Sequence, residues 1–177
     1  MSAEASQISA ANSMPARNRL QAALPAPRMA IAGMLIWGLA MAASAFTSLF
    51  SMSWGTAGHI RFVVLLYAAG GALAFPVAWT LARLLSQKAR REGAFAAAFV
   101  CLGVATIGLT AALYALQYRR YYAEWHAEPF TVTWTYQFVF TGLVALYQFA
   151  VLGIRLYFPY GFVALIAAAL WFARRSR

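Results

Sequence analysis

The stretch VTWTYQFVFTGLVALYQFAVLGIRLYFPYGFVALIAAALWFA, residues 132–173, runs for 42 residues with Arg155 as its one charged side chain. As a single straight helix it would be roughly 60 Å long at 1.5 Å per residue. That is about twice the 30 Å hydrocarbon core of a bilayer. Within it, RLYFPYG (155–161) sets a proline and a glycine at turn-like spacing. The reading therefore divides the stretch into segments 132–153 and 156–173, and the fold turns on whether both cross a membrane.

Upstream lie three more apolar runs, 29–52, 62–82 and 93–116. Each meets the requirement of about 20 residues for a spanning helix. The predicted class is all-α: a polytopic transmembrane helical bundle with four to five membrane-inserted segments, in one domain covering 28–173. Composition agrees, with 63% hydrophobic and 10% charged residues and a mean hydropathy of +0.66. Soluble domains are about half apolar and a quarter charged, so a water-soluble globule is excluded. Residues 1–27, rich in Ala, Ser, Pro and Gln, read as a disordered cytoplasmic tail. Residues 174–177 form a basic C-terminal tail. Met14 and Met29 are alternative starts. Ala43-Ser44-Ala45 resembles a signal-peptidase site, but the 29–52 run is too long for a signal h-region and reads as a retained anchor.

Small residues mark two helix faces, YAAGGALA (67–74) and Gly103, Thr106 and Thr110, where helix backbones can approach closely in lipid. They serve packing within the bundle first and a homo-oligomer second. Pro76 removes one backbone donor and should kink the second helix.

The net charge of +10 would suggest nucleic acid in a soluble protein. Here the basic residues sit between apolar runs, where anionic headgroups and the positive-inside rule explain them, so nucleic-acid binding is set aside. With an even number of crossings and a cytoplasmic N-terminus, ten Lys and Arg fall inside and three outside, Arg155 aside. With five crossings the split is eight against six. Charge thus favours four crossings, while hydropathy favours five inserted segments. The N-terminus is cytoplasmic in both, and the Ala- and Arg-rich composition points to a bacterial plasma membrane.

Two groups of residues are candidates for function. On 132–153 and just beyond, Thr133, Gln137, Thr141, Gln148 and Arg155 are spaced 4, 4, 7 and 7 apart. At 100° per residue they share an arc of about 80°. Glutamines in hydrocarbon are costly unless partnered, so this face should look into the bundle, a partner subunit or a hydrated path. Arg155 is expected to snorkel to the cytoplasmic interface or to bind an anionic headgroup.

The second group is the loop RRYYAEWHAEPF (119–130), which holds Glu124 and Glu128, two of only four acids in the chain. Its Tyr and Trp residues mark a membrane boundary. Pro129 suits the first turn of the next helix, with Glu128 complementing its positive end. With the N-terminus inside, His59 and Arg61 share this outer face. His59, Glu124, His126 and Glu128 are a Zn or Fe ligand set by type, but their spacing is no metal signature. A haem between His59 and His126 fits less well, both being loop residues, so no metal or cofactor is assigned. Arg61, Arg119 and Arg120 with the tyrosines suit a phosphate or lipid headgroup.

GxSxG, HExxH, P-loop and GxGxxG motifs are absent, and Cys101 stands alone. No span contains Asp, Glu, Lys or His, which leaves no acidic relay for ion-coupled transport. The expectation is a non-catalytic accessory or assembly subunit of a membrane complex, in contact with lipids and with a membrane protein partner or a second copy. A carrier or flippase for a lipid-linked or neutral substrate is the alternative. A third option is an enzyme acting on a lipid at the outer interface, with His126 or Glu124 as base.

Overall fold

A computed structural model describes residues 23–53, 56–87 and 89–175. Most of the expected N-terminal tail, and Arg177, lie outside these. Helix takes up 89% of the described residues and no strand is found among them. The order is α1 (Pro27–Ser51), α2 (Ala57–Ser86), α3 (Arg91–Tyr122), a 3₁₀ turn (Ala123–Trp125), α4 (Val132–Gln148), a π-helical turn (Phe149–Gly153), a 3₁₀ turn (Ile154–Tyr157) and α5 (Tyr160–Arg175).

Among the described residues four stretches are long and apolar enough to cross a membrane: Pro27–Ser51, Ala57–Ser86, Arg91–Trp125 and Val132–Tyr157. The chain is a multi-pass helical membrane protein. Helix α2 overruns its apolar segment, 62–82, by five and four residues, and α3 overruns 93–116 by two at its start and six at its end. Length explains this: α2 has 30 residues, about 45 Å at 1.5 Å per residue, so its ends continue through the headgroup layers. At its other extreme α5 has 16 residues, about 24 Å, less than the hydrocarbon core.

The course of 132–175 against α3 follows from its contacts. Along it, Arg119 stacks on Phe138, Tyr114 bonds to Gln148 and Thr110 bonds to Tyr157. Nineteen residue steps along this stretch, from 138 to 157, thus match only nine along α3, from 119 to 110, so α4 and its continuation run across α3 at a slant. Tyr157 ends that run in the half of the bundle nearer Tyr122. From there α5 follows α3 toward its start: Leu165 lies by Gly103, and Arg174 shares a crevice with Arg91 and Glu92. The two apolar segments thus follow one another in series along α3. Arg175 finishes beside Met29 of α1, so the start of α1 and the end of α5 lie at the same end of the bundle.

Helices α1, α2 and α3 hold together through small residues. A Cβ on Gly38 would sit 2.8 Å from the Ala68 carbonyl oxygen, and one on Gly71 2.8 Å from Met41 Cγ. A Cβ on Gly70 would overlap Thr110. The 67–74 stripe therefore serves both neighbours, Gly71 toward α1 and Gly70 toward α3. Ala45, Ala74, Ala78 and Ala98 are fully buried at these contacts. Without a hydrophobic drive between helices in lipid, close backbone packing of this kind supplies the attraction. Trp37 of α1 adds a cross-link, donating its indole N–H to Thr106 Oγ1 of α3 at 2.9 Å. Pro76 lies inside an unbroken α2, where the Thr80 hydroxyl donates to the Pro76 carbonyl at 2.8 Å.

Candidate functional site

The break between α4 and α5 concentrates polar chemistry inside the bundle. A helix that leaves the α pattern frees carbonyls that must find new donors away from water. Side chains from α1 and α2 answer them. Tyr67 of α2 donates to the Gly153 carbonyl at 2.6 Å. Ser44 of α1 donates to the Leu156 carbonyl at 2.9 Å and accepts the Gly161 N–H at 3.0 Å. Ser48 donates to the Phe158 carbonyl at 2.9 Å. Tyr157 donates to Thr110 Oγ1 at 2.8 Å, and Thr110 donates to the Thr106 carbonyl at 2.8 Å. The rings of Tyr67 and Tyr157 pack with centroids 4.9 Å apart.

The sequence reading missed most of this network. Ser44 and Ser48 stand one helical turn apart on one face of α1, which is the signal that marks them as a pair. Tyr67 and Tyr157 carry no such signal, because their partners are backbone atoms of a break that tertiary packing creates.

Beside the break, a seam between α2 and α4 opens toward the Tyr122 end. It measures about 150 Å³ and is lined by His59, Phe62, Tyr67, Tyr114, Gln148 and Leu152 among others. Pockets for drug-sized ligands run from roughly 300 Å³ upward, so this seam is too small to enclose one. It brings His59 of the outer-face group next to Gln148 of the intramembrane face. Gln148 is engaged there, accepting from Tyr114 OH at 3.0 Å.

Gln137, Thr141, His126 and Arg119 also join the two predicted groups, but through structural bonds. Gln137 Oε1 accepts the Ala127 N–H at 2.8 Å, and Thr141 Oγ1 lies 3.3 Å from His126 Nε2. The Arg119 guanidinium lies over the Phe138 ring at 3.6 Å, with its Nε buried and unbonded. The loop is thereby fastened onto the Gln137 and Thr141 face of α4. Thr133, Arg155, Arg61, Arg120, Glu124 and Glu128 are exposed, as is His59 apart from its place on the seam. Among the described residues no three His, Cys, Asp or Glu side chains come together as a metal-ligand group.

One local expectation needs correction. Helix α4 begins at Val132, not at Pro129: its N-cap is Thr131, whose hydroxyl oxygen accepts the Trp134 N–H at 3.1 Å. Pro129 and Glu128 stand in the preceding turn, where the Glu128 carbonyl accepts the Thr131 hydroxyl at 2.9 Å and Phe130 takes a φ of 68°. A hydroxyl one residue before the helix out-competes a proline three residues before it, since it satisfies a free helix-end N–H. Arg155, two residues from Tyr157, stands in the half of the bundle nearer Tyr122.

No known family, curated protein or solved structure matches this chain.

Proposed function

We propose that this chain is a non-catalytic accessory or assembly subunit of a membrane complex, with α4 as the element that meets its partner. The observation that carries this reading is the contrast between the two sides of α4. Its polar side is engaged within the chain, Gln137 to Ala127, Thr141 to His126 and Gln148 to Tyr114. Its other side presents Tyr136, Phe140, Leu143 and Tyr147, each more than half exposed, and Ala145 is the one buried residue on the helix. Only 11% of the fourth candidate span is buried, against 28–39% for the other three. A crossing seated along one edge leaves room for a helix of a second membrane protein, whose packing would supply the contacts α4 lacks.

In this reading the membrane is a bacterial plasma membrane. The end of the bundle carrying Arg28, Arg83, Arg90, Arg91, Arg174 and Arg175 faces the cytoplasm, as the positive-inside rule requires.

The test is a photo-crosslinking side chain at Phe140 or Tyr147 in cells, with Val104 on α3 as the comparison, followed by native mass spectrometry of the gently extracted protein. The expected result is one discrete protein adduct from α4 and none from Val104, with a complex of fixed stoichiometry that Phe140→Ala with Tyr147→Ala dissolves. A monomer only, crosslinked to lipid alone, would sink the proposal. A carrier for a lipid-linked or neutral solute is the second reading, and the discontinuous fourth crossing favours it, since such breaks line transport paths. Proteoliposomes that move labelled lipid above background would put it first.

A further inference from the structure

A larger cavity lies at the opposite end of the molecule from the seam. Helix α5 packs on α3 along its length but only lightly on α1. Between α1 and α5 this leaves a groove of about 420 Å³, floored by Gly33, Ala40, Phe75 and Ala168 and closed at the end of the bundle by Trp171 and Arg175. Its polar content is confined to that mouth. Along α1 it runs from Met29 to Ala40 and along α5 from Ala164 to Arg175. Eleven residues of rise make each wall about 16 Å long, which matches the half-thickness of a 30 Å hydrocarbon core.

The mouth is strongly basic. Arg175 lies over the Trp171 ring at 4.5 Å. Stacking uses the face of the guanidinium and not its N–H edge, so the ring fixes the cation where its donors point past the groove. Arg28 precedes the first groove residue of α1, and Arg174 adjoins Arg175; at this end of the described helices Glu92 is the one acid. The neighbouring cavity that holds Glu92 is a separate one, shared with Arg91 and Arg174.

We propose that this groove is a binding site for an anionic phospholipid of the adjacent leaflet, one acyl chain lying between α1 and α5 and the phosphate held by Arg175 and Arg28. Three features select this occupant over a protein helix or a second copy. The groove is one leaflet long, too short for a crossing helix. Half of its lining is alanine or glycine and the rest, apart from Arg175, is Met, Ile, Phe and Trp, an apolar trough that suits a chain of methylenes. Basic residues stand only at the end where a headgroup would sit, the arrangement that binds anionic headgroups between helices. The site is independent of the partner face on α4, which lies at the other end of the bundle.

The experiment is native mass spectrometry of the full chain exchanged into detergent with equal amounts of phosphatidylglycerol and phosphatidylcholine. The wild type is expected to retain one phosphatidylglycerol in preference to phosphatidylcholine. Arg175→Gln should lower that preference about fivefold, the effect of removing one basic residue near a charged headgroup, with total bound lipid little changed. Ala168→Leu, which fills the groove, should lose both lipids. If Ala168→Leu elutes as aggregate, Ala164→Val takes its place, and Arg175→Gln decides the headgroup question by itself because its side chain is exposed. Equal retention of the two lipids by the wild type, or retention unchanged in the groove-filling variant, would overturn the proposal. So would a stable dimer that excludes lipid.

Discussion

The Ser44 hydroxyl donates to the Leu156 carbonyl at 2.9 Å, joining α1 to the break in the fourth crossing across 112 residues. The same oxygen accepts the Gly161 N–H at 3.0 Å. One buried side chain thus serves the carbonyl that ends one helical segment and the amide that begins the next. Nothing else on α1 can do both, although Ser48 reaches the Leu156 carbonyl at 3.4 Å.

Removing that oxygen strands two backbone groups in a site without water. Each unsatisfied buried group costs about 1–3 kcal/mol. Ser44→Ala is therefore expected to lower stability by about 2 kcal/mol, with Ser48 recovering part of the loss at Leu156. Ser44→Ala with Ser48→Ala should cost more than the sum of the singles. Unfolding in mixed micelles, followed by far-UV circular dichroism, measures both. A strictly additive pair would show that the two serines act separately.

Glycines in this chain divide sharply by position. A Cβ on Gly70 would overlap Thr110, whose hydroxyl is already committed to Tyr157 and Thr106, whereas one on Gly108 would meet nothing within 4 Å. Gly70→Ala should destabilise by about 1–3 kcal/mol, the usual range for overpacking. Gly108→Ala should be neutral, or stabilising by up to about 1 kcal/mol through helix propensity. The same unfolding assay separates them, and equal effects would refute the packing assigned to Gly70.

Much of this arrangement is legible in the sequence, for a physical reason. A spanning helix is first a matter of length and apolarity, and both are local, so the first three helices announce themselves. Their ends do not, because Tyr118–Tyr122 stay helical beyond the apolar run, in a layer where polar and aromatic residues are equally at home. The face of Gln137, Thr141 and Gln148 is visible as a spacing, but its partners are a backbone amide, a loop histidine and a tyrosine on another helix. The break itself is less visible still. Proline and glycine locate the turn at 158–161, whereas the π turn before it is held by Tyr67, 86 residues away. Pro129 misled because a proline marks a helix start only where no better cap follows, and Thr131 follows.

Tyr114 and Gln148 offer a direct measure of how firmly α4 is held. Their hydrogen bond, 3.0 Å long, joins α3 to α4 on the wall of the outer seam. Interhelical bonds between polar side chains in membranes average about 0.6 kcal/mol in coupling energy. A double-mutant cycle of Tyr114→Phe and Gln148→Leu should return a coupling of that order. Zero coupling would mean that the bond contributes nothing to holding α4 on α3. A value well above it would mean that α4 depends on this contact for its seat.

The geometry of the C-terminal half makes a topological prediction that hydropathy alone contradicts. Two apolar segments, 132–153 and 156–173, would ordinarily count as two crossings and send the C-terminus to the far side. Because α4 slants across α3 and α5 completes the descent, Arg175 instead ends beside Met29, and Arg174 beside Arg91. Fluorescent protein fused after Arg177 should therefore mature in the cytoplasm, while alkaline phosphatase inserted between Glu124 and Pro129 should be active outside it. Cysteine labelling from the outside should mark the loop at Glu128 and spare positions 174 and 175. An active phosphatase at the C-terminus would overturn the single broken crossing and restore five separate spans. The positive-inside rule then adds its own check. Replacing Arg174 and Arg175 with Gln removes two of the residues that the rule counts toward a cytoplasmic placement of this end, and should raise the fraction of inverted molecules without changing the helices themselves.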